Sequence, residues 1–152
     1  WDELNIYLAF ICFEPDKSKI NIVTEPEMRD RITHNEDHVR FYLAKNTDAD
    51  KFIQVYLSAG GAVTDYLVTR KHDQWQNEIK WDGFGEYKAA VYNNSWQGEA
   101  VLPWSALDTE PCSTIVFNIR RKKKDDSHNS VFQLPYLREP QKFALAVFEQ
   151  EH

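Results

Sequence analysis

Phe52-Ile53-Gln54-Val55-Tyr56-Leu57-Ser58-Ala59-Gly60-Gly61-Ala62-Val63-Thr64-Asp65-Tyr66-Leu67-Val68 decides the fold class. Ile53, Val55 and Leu57 alternate with Gln54 and Tyr56, the period-2 pattern of a strand with one buried face. Ala59-Gly60-Gly61 then supplies the positive φ angles of a tight reversal, and residues 62–68 run back as the hairpin partner. Upstream, residues 39–44 place Val39, Phe41 and Leu43 on one side and Arg40 and Tyr42 on the other. Downstream, residues 87–92 and 96–102 flank Asn93-Asn94-Ser95, a second hairpin. Residues 4–13 are apolar on both faces, which predicts a central strand; residues 19–24 alternate through Ile20, Ile22 and Thr24. Residues 114–120 and 142–148 complete the strands, and residues 71–81 read as a polar loop or edge segment. Only residues 25–33 and the turn begun by Pro103 have helical character. About nine or ten short strands with one or two helical turns predict an all-β antiparallel sandwich, jelly-roll or immunoglobulin-like, as one domain over 1–152.

Composition narrows the function classes. The chain has 152 residues, 42% hydrophobic and 28% charged, enough for one core and too apolar for wholesale disorder. No apolar run approaches the ~20 residues of a membrane-spanning helix. A formal charge of −6 gives no global attraction to nucleic acid or an anionic membrane. Cys12 and Cys112 permit one disulfide without demanding it; two free thiols are the equal alternative. The opening Trp1-Asp2-Glu3 reads as the start of a mature or excised fragment.

Catalytic patterns are missing. No GxSxG elbow surrounds Ser58, Ser105 or Ser130. Glu36 and Asp37 are strand neighbours pointing to opposite faces; with Glu86 and Glu99 they read as solvated edge and turn carboxylates. His34 and His38 stand four apart without HExxH and read as exposed residues flanking a strand start. Asp48 and Asp50, in the polar turn 46–51, with Asp16 and Asp65, are hard oxygen donors that make calcium a better expectation than zinc, though without EF-hand spacing. The run Arg120-Arg121-Lys122-Lys123-Lys124 offers cations to phosphates or an anionic glycan, and otherwise reads as a solvated hairpin end. Trp96 and Trp104 lie in apolar context and are assigned to the core. Trp75 and Trp81 sit among polar residues, where a flat ring either stacks on a sugar face or covers the open end of the sandwich.

The order of local patterns resembles the family 9 carbohydrate-binding modules, within the broader DOMON-like group of β-sandwiches. Six stretches carry the likeness: Trp1-Asp2-Glu3-Leu4-Asn5-Ile6-Tyr7-Leu8-Ala9-Phe10, Glu36-Asp37-His38-Val39-Arg40-Phe41-Tyr42-Leu43, Gly60-Gly61-Ala62-Val63-Thr64-Asp65, Trp96-Gln97-Gly98-Glu99-Ala100-Val101-Leu102-Pro103-Trp104, Phe117-Asn118-Ile119-Arg120-Arg121 and Arg138-Glu139-Pro140-Gln141-Lys142-Phe143. Family members usually carry a further amino-terminal strand region before the equivalent of Trp1. The resemblance implies two sugar-sandwiching tryptophans at places held here by Thr33 and Leu137, a glutamate where Arg40 stands and an arginine where Gln54 stands. Asn118 and Arg120 fit the family pattern of the late strand.

A carbohydrate site in this chain is therefore expected to draw on Trp75, Trp81, Arg40, Gln54, Asn118, Arg120, Phe132 and Tyr136. The function expected is non-catalytic binding of an oligo- or polysaccharide by a module or auxiliary domain of a larger carbohydrate-active or outer-membrane protein. That protein would be secreted, periplasmic or cell-surface, its module monomeric, without nucleic-acid or membrane partners. Two alternatives stand beside it: a b-type haem domain with Met28 and His128 as axial ligands, and a ligand-free docking sandwich using Trp75 and Trp81.

Overall fold

The structure, a computed structural model, describes residues 1–32, 34–111, 114–124, 130–131 and 138–148. The alternating segments form β1 (Asn5–Phe13), β2 (His38–Ala44), β3 (Lys51–Ser58), β4 (Val63–Lys71), β5 (Gln74–Glu78), β6 (Tyr87–Val91), β7 (Ser95–Pro103), β8 (Ile115–Lys122), β9 (Ser130–Val131) and β10 (Ala144–Ala146). They assemble into two antiparallel sheets. The smaller has the order β1-β7-β6; the larger runs β10-β8-β2-β3-β4-β5, with β9 pairing β8 near its end. The fold is an all-β sandwich, as the alternation predicts.

Period 2 decides which side chains enter the core. Val39, Phe41 and Leu43 of β2, Ile53, Val55 and Leu57 of β3 and Ile115 of β8 face Ile6 and Cys12 of β1 and Trp96, Ala100 and Leu102 of β7. Phe10 locks the two sheets: its ring meets Trp96 edge-on at 5.3 Å and Phe41 at 5.8 Å. Such a pair adds about 0.5–1.5 kcal/mol beyond the area it buries. Cys12 is a buried free thiol, and desolvation pushes its pKa up to about 11; Cys112 lies outside the described residues.

Four expectations need correcting. β1 is an edge strand, paired among the described residues only with β7, and the apolar residues on its second face are left in solvent, with Phe13 69% exposed. Its register, Asn5↔Pro103 to Phe13↔Ser95, joins segments far apart in sequence. Residues 20–24 form no strand. They follow a single 3-10 turn (Lys17–Lys19) and enter a strap across the β3–β4 hairpin, where the Thr24 N–H and Oγ1 donate to Glu36 Oε2 at 3.0 and 2.7 Å. Nor do residues 25–32 form a helix: the Met28 N–H closes a turn on Glu25 O, and Asp30 sits at φ 60°, which ends any helical path. Glu36 and Asp37 are fully buried rather than solvated, as hydrogen-bonding anchors of that strap.

The hairpin glycines differ in purpose. Gly61 carries the positive φ of the reversal, at 94°. Gly60 is required by close approach, because a Cβ there would stand 1.9 Å from Thr24 O. The basic run likewise differs from its solvated reading. Lys122 is buried, Arg121 Nη1 donates to Phe13 O at 2.8 Å, and Lys123 pairs with Glu14. These cations tie the end of the large sheet to the end of β1.

Candidate functional site

The outward face of the large sheet holds the polar side chains that alternation excludes from the core. Register sets them in rows. Arg120, Arg40, Tyr56 and Thr64 lie across β8, β2, β3 and β4; one row along are Asn118, Tyr42, Gln54 and Tyr66. In the opposite direction Lys122, His38 and Ser58 form a third row. Beyond the Gln54 row the face turns apolar, with Ala44, Phe52, Val68, Val116 and Phe143 buried together and Trp75 packed on Phe52 at 5.0 Å. The face is polar at one end and aromatic at the other.

Arg40 organises the polar end. It is 94% buried, at 6% exposure, and its guanidinium lies 4.2 Å above the Tyr56 ring. Its Nε donates to His38 Nε2 at 2.8 Å, and Nη2 lies 3.0 Å from His34 Nδ1. His38 stacks on Tyr56 at 5.3 Å, and its Nδ1 lies 2.9 Å from Glu36 O. A carbonyl accepts only, so Nδ1 carries the proton and Nε2 presents its lone pair to Arg40. Burial and the Arg40 charge hold the His38 pKa down at about 3, so the ring is neutral. Burial and Arg40 also lower His34. His38 is fully buried, against the reading that placed it in solvent.

Gln54 donates from Nε2 to the Tyr56 hydroxyl at 2.5 Å, yet its Oε1 is buried with no partner among the described residues. Arg120 Nε is in the same condition. Tyr56 and Tyr66, 5.5 Å apart, remain half-buried, so rings and unused donor and acceptor atoms share one surface. That arrangement suits a polyol: forks for hydroxyls beside flat faces for C–H groups.

Of the eight residues expected from sequence, the structure brings Arg40, Gln54, Asn118 and Arg120 together on this face. Trp75 shares the face at its apolar end. Trp81 does not; its half-buried ring packs against the inter-sheet core. Phe132 and Tyr136 lie outside the described residues, as do Thr33, Leu137 and His128. Met28 is exposed in a turn. Asp48 and Asp50 occupy an exposed turn where the Asp48 N–H donates to Asn46 Oδ1 at 3.1 Å, and Asp65 is buried against Arg29 and the Phe84 N–H. Among the described residues no three His, Cys, Asp or Glu side chains gather into a metal site. Sequence reasoning missed His34, His38, Tyr56 and Tyr66 as site residues; for the last three, shared parity with Arg40 and Gln54 was the signal, readable once register is known, whereas His34 precedes β2 and no strand pattern marks it. A groove of about 460 Å³ lies elsewhere, on the small sheet beside Tyr7, Tyr87, Lys88 and Glu99, away from the six expected residues that the structure describes.

By sequence, no family model and no curated protein matches the chain. Solved structures do match its shape. A "putative carbohydrate-binding protein" from Bacteroides uniformis superposes with a TM-score of 0.71 at 13% identity, over 97% of this chain and 74% of that one. A family 9 carbohydrate-binding module from Caldicellulosiruptor kristjanssonii, solved with cellotriose, gives 0.63 at 11% identity, over 100% of this chain and 73% of that one. The same organism's module solved with glucose gives 0.61 at 13% identity, over 100% and 74%. The chain shares their β-sandwich fold. At these identities the likeness extends to the fold and no further.

Proposed function

We propose that the chain is a non-catalytic saccharide-binding domain and that the outward face of the large sheet is its binding surface. One observation carries the reading: buried hydrogen-bonding atoms without partners among the described residues, Gln54 Oε1 and Arg120 Nε, lie on the same face as the half-buried rings Tyr56 and Tyr66. Hydroxyls would satisfy the first set while the C–H faces of a sugar ring rest on the second. The structural neighbours, solved with cellotriose and glucose, support the ligand class. No bond is made or broken in this scheme; affinity comes from desolvating rings and completing hydrogen bonds. The domain belongs in this reading to a larger secreted, periplasmic or cell-surface protein acting on polysaccharides, and Asp48 and Asp50 are the candidate calcium ligands.

Affinity gels cast with soluble cellulose, xylan, mannan and pectin, run with calcium or with chelator, test it. Retardation by at least one polymer, abolished in Tyr56→Ala/Tyr66→Ala protein that keeps its near-ultraviolet dichroism, is the expected result. Unretarded migration through all four, in either condition, refutes it.

A further inference from the structure

The polar end of the binding face is cationic, in a chain whose formal charge is −6. Among the outward positions of β2, β3, β4, β5 and β8, those at this end carry Arg40, Arg120 and Lys122, whereas Arg70 sits past the aromatic end, opposite Trp75, and pairs with Asp73. Among the described residues those positions hold no Asp or Glu. Arg40 and Arg120 are direct cross-strand partners. Side chains so placed have Cβ atoms about 4.5–5.5 Å apart, and like charges directly opposite each other destabilise a sheet. A buried guanidinium ordinarily takes a carboxylate partner. Among the described residues Arg40 instead contacts two histidines and the Tyr56 ring, and Arg120 leaves Nε unused.

We propose that the ligand is an acidic saccharide whose carboxylate bridges Arg40 and Arg120, a uronic-acid residue being the chemical class. The inference rests on the saccharide-binding reading and deepens it. An anion between the two guanidiniums removes their repulsion and gives Arg120 Nε an acceptor, and the planar forks match a carboxylate. A bare anion leaves the second requirement unmet. Gln54, 1% exposed, presents Oε1 as an acceptor and needs an O–H donor. Its row stands two residues along the strands from the Arg40 row, about 7 Å away. That is the width of one sugar ring with its substituents. A hydroxylated acid therefore meets both demands: carboxylate on the arginine pair, hydroxyl on Gln54, and a ring face over Tyr56 or Tyr66.

Isothermal titration with trigalacturonic acid, cellotriose, glucose 6-sulfate and sodium sulfate tests the proposal. Trigalacturonate is expected to bind roughly tenfold or more tightly than cellotriose, the increment of one charge-assisted pair. In Arg120→Gln protein its affinity falls to within about twofold of that variant's affinity for cellotriose, and Arg120→Lys recovers only part of the difference. Melting temperature and near-ultraviolet dichroism establish that each variant is folded; Lys122→Gln serves if Arg120→Gln is not, with a smaller loss expected. Equal binding of cellotriose and trigalacturonate, or a preference untouched by Arg120→Gln, overturns the acidic ligand and leaves saccharide binding standing. Binding of glucose 6-sulfate without trigalacturonate overturns the carboxylate assignment. Sodium sulfate binding as tightly as any sugar identifies a simple anion site and overturns the proposal, and silence from every probe removes the saccharide reading beneath it as well.

Discussion

Replacing Gln54 by leucine is expected to stabilise the fold while weakening binding. The side chain lies buried in the middle of the large sheet, where its Nε2 donates to the Tyr56 hydroxyl and its Oε1 meets no partner among the described residues. Leaving an acceptor buried and unsatisfied costs about 1–3 kcal/mol, and the lost Nε2 hydrogen bond is worth roughly 1 kcal/mol. Tyr56 is half-buried, so water replaces the donor it loses. A leucine of similar volume adds no cavity and no new polar atom. The balance is a net gain of about 1 kcal/mol, which for a chain of this size raises the melting temperature by ~2–4 °C. The same change removes the acceptor assigned to a sugar hydroxyl and should weaken the wild-type polysaccharide interaction about tenfold. Urea unfolding and calorimetry give the first quantity; affinity electrophoresis on the retarding polymer gives the second. Destabilisation by 2 kcal/mol or more would refute the reasoning, because Oε1 would then be a structural acceptor in the native fold rather than one held open.

Three further outcomes are expected. Gly60→Ala should cost more than about 3 kcal/mol, since its Cβ would collide with backbone Thr24 O, whereas Gly61→Ala should cost about 1–3 kcal/mol from its φ of 94° and one tight contact with Pro26; chemical denaturation of both variants reads the order, and a reversed order contradicts the strap geometry. His38 is held neutral with a pKa of about 3, below its ordinary 6.5, so the unfolded chain takes up a proton that the native ring refuses. Its contribution is therefore intact above pH 6.5 and is lost as pH falls toward 3, roughly 2 kcal/mol by pH 5; Asp37 and Asp65, raised by burial, act in the opposite sense, so the comparison is the pH slope of wild type against His38→Asn. Trp81→Ala should lower the melting temperature by several degrees and leave polysaccharide retardation intact, because that ring packs against the inter-sheet core and not on the binding face.

Strand alternation made most of the architecture legible, and β2 and β3 show why. Their inward and outward sets separate cleanly in sequence, and the pair Gly60-Gly61 marks the reversal after β3. β1 misled because apolar residues on two faces also describe an edge strand whose outer face is exposed. Residues 19–24 alternate like a strand, but the Thr24 polar groups are consumed by Glu36, twelve residues away, and no local pattern announces that bond. The candidate site was half legible. Arg40, Gln54, Asn118 and Arg120 could be named singly, but their convergence is a property of register between strands up to eighty residues apart. Trp75 and Trp81 looked available because their sequence neighbours are polar; both rings turn toward apolar partners supplied by other strands. Burial of Glu36, Asp37 and His38 follows equally from contacts that sequence proximity does not encode.

The pairing of β1 with β7 has a consequence during biosynthesis. The partner of each β1 residue is encoded 82 to 98 positions later. At roughly 5–20 residues per second, a nascent chain waits on the order of 4–20 s after β1 emerges before β7 can emerge to pair with its edge. Throughout that interval Ile6, Leu8, Phe10 and Cys12, the future inner face of the small sheet, stand open together with Tyr7, Ile11 and Phe13. Both faces of one uncharged nine-residue segment are then adhesive at once. Pairing with β7 closes only an edge of β1; the inner face is withdrawn against β2, β3 and β8 of the large sheet and the outer face stays in solvent, so a chaperone would meet this segment on the ribosome-bound chain.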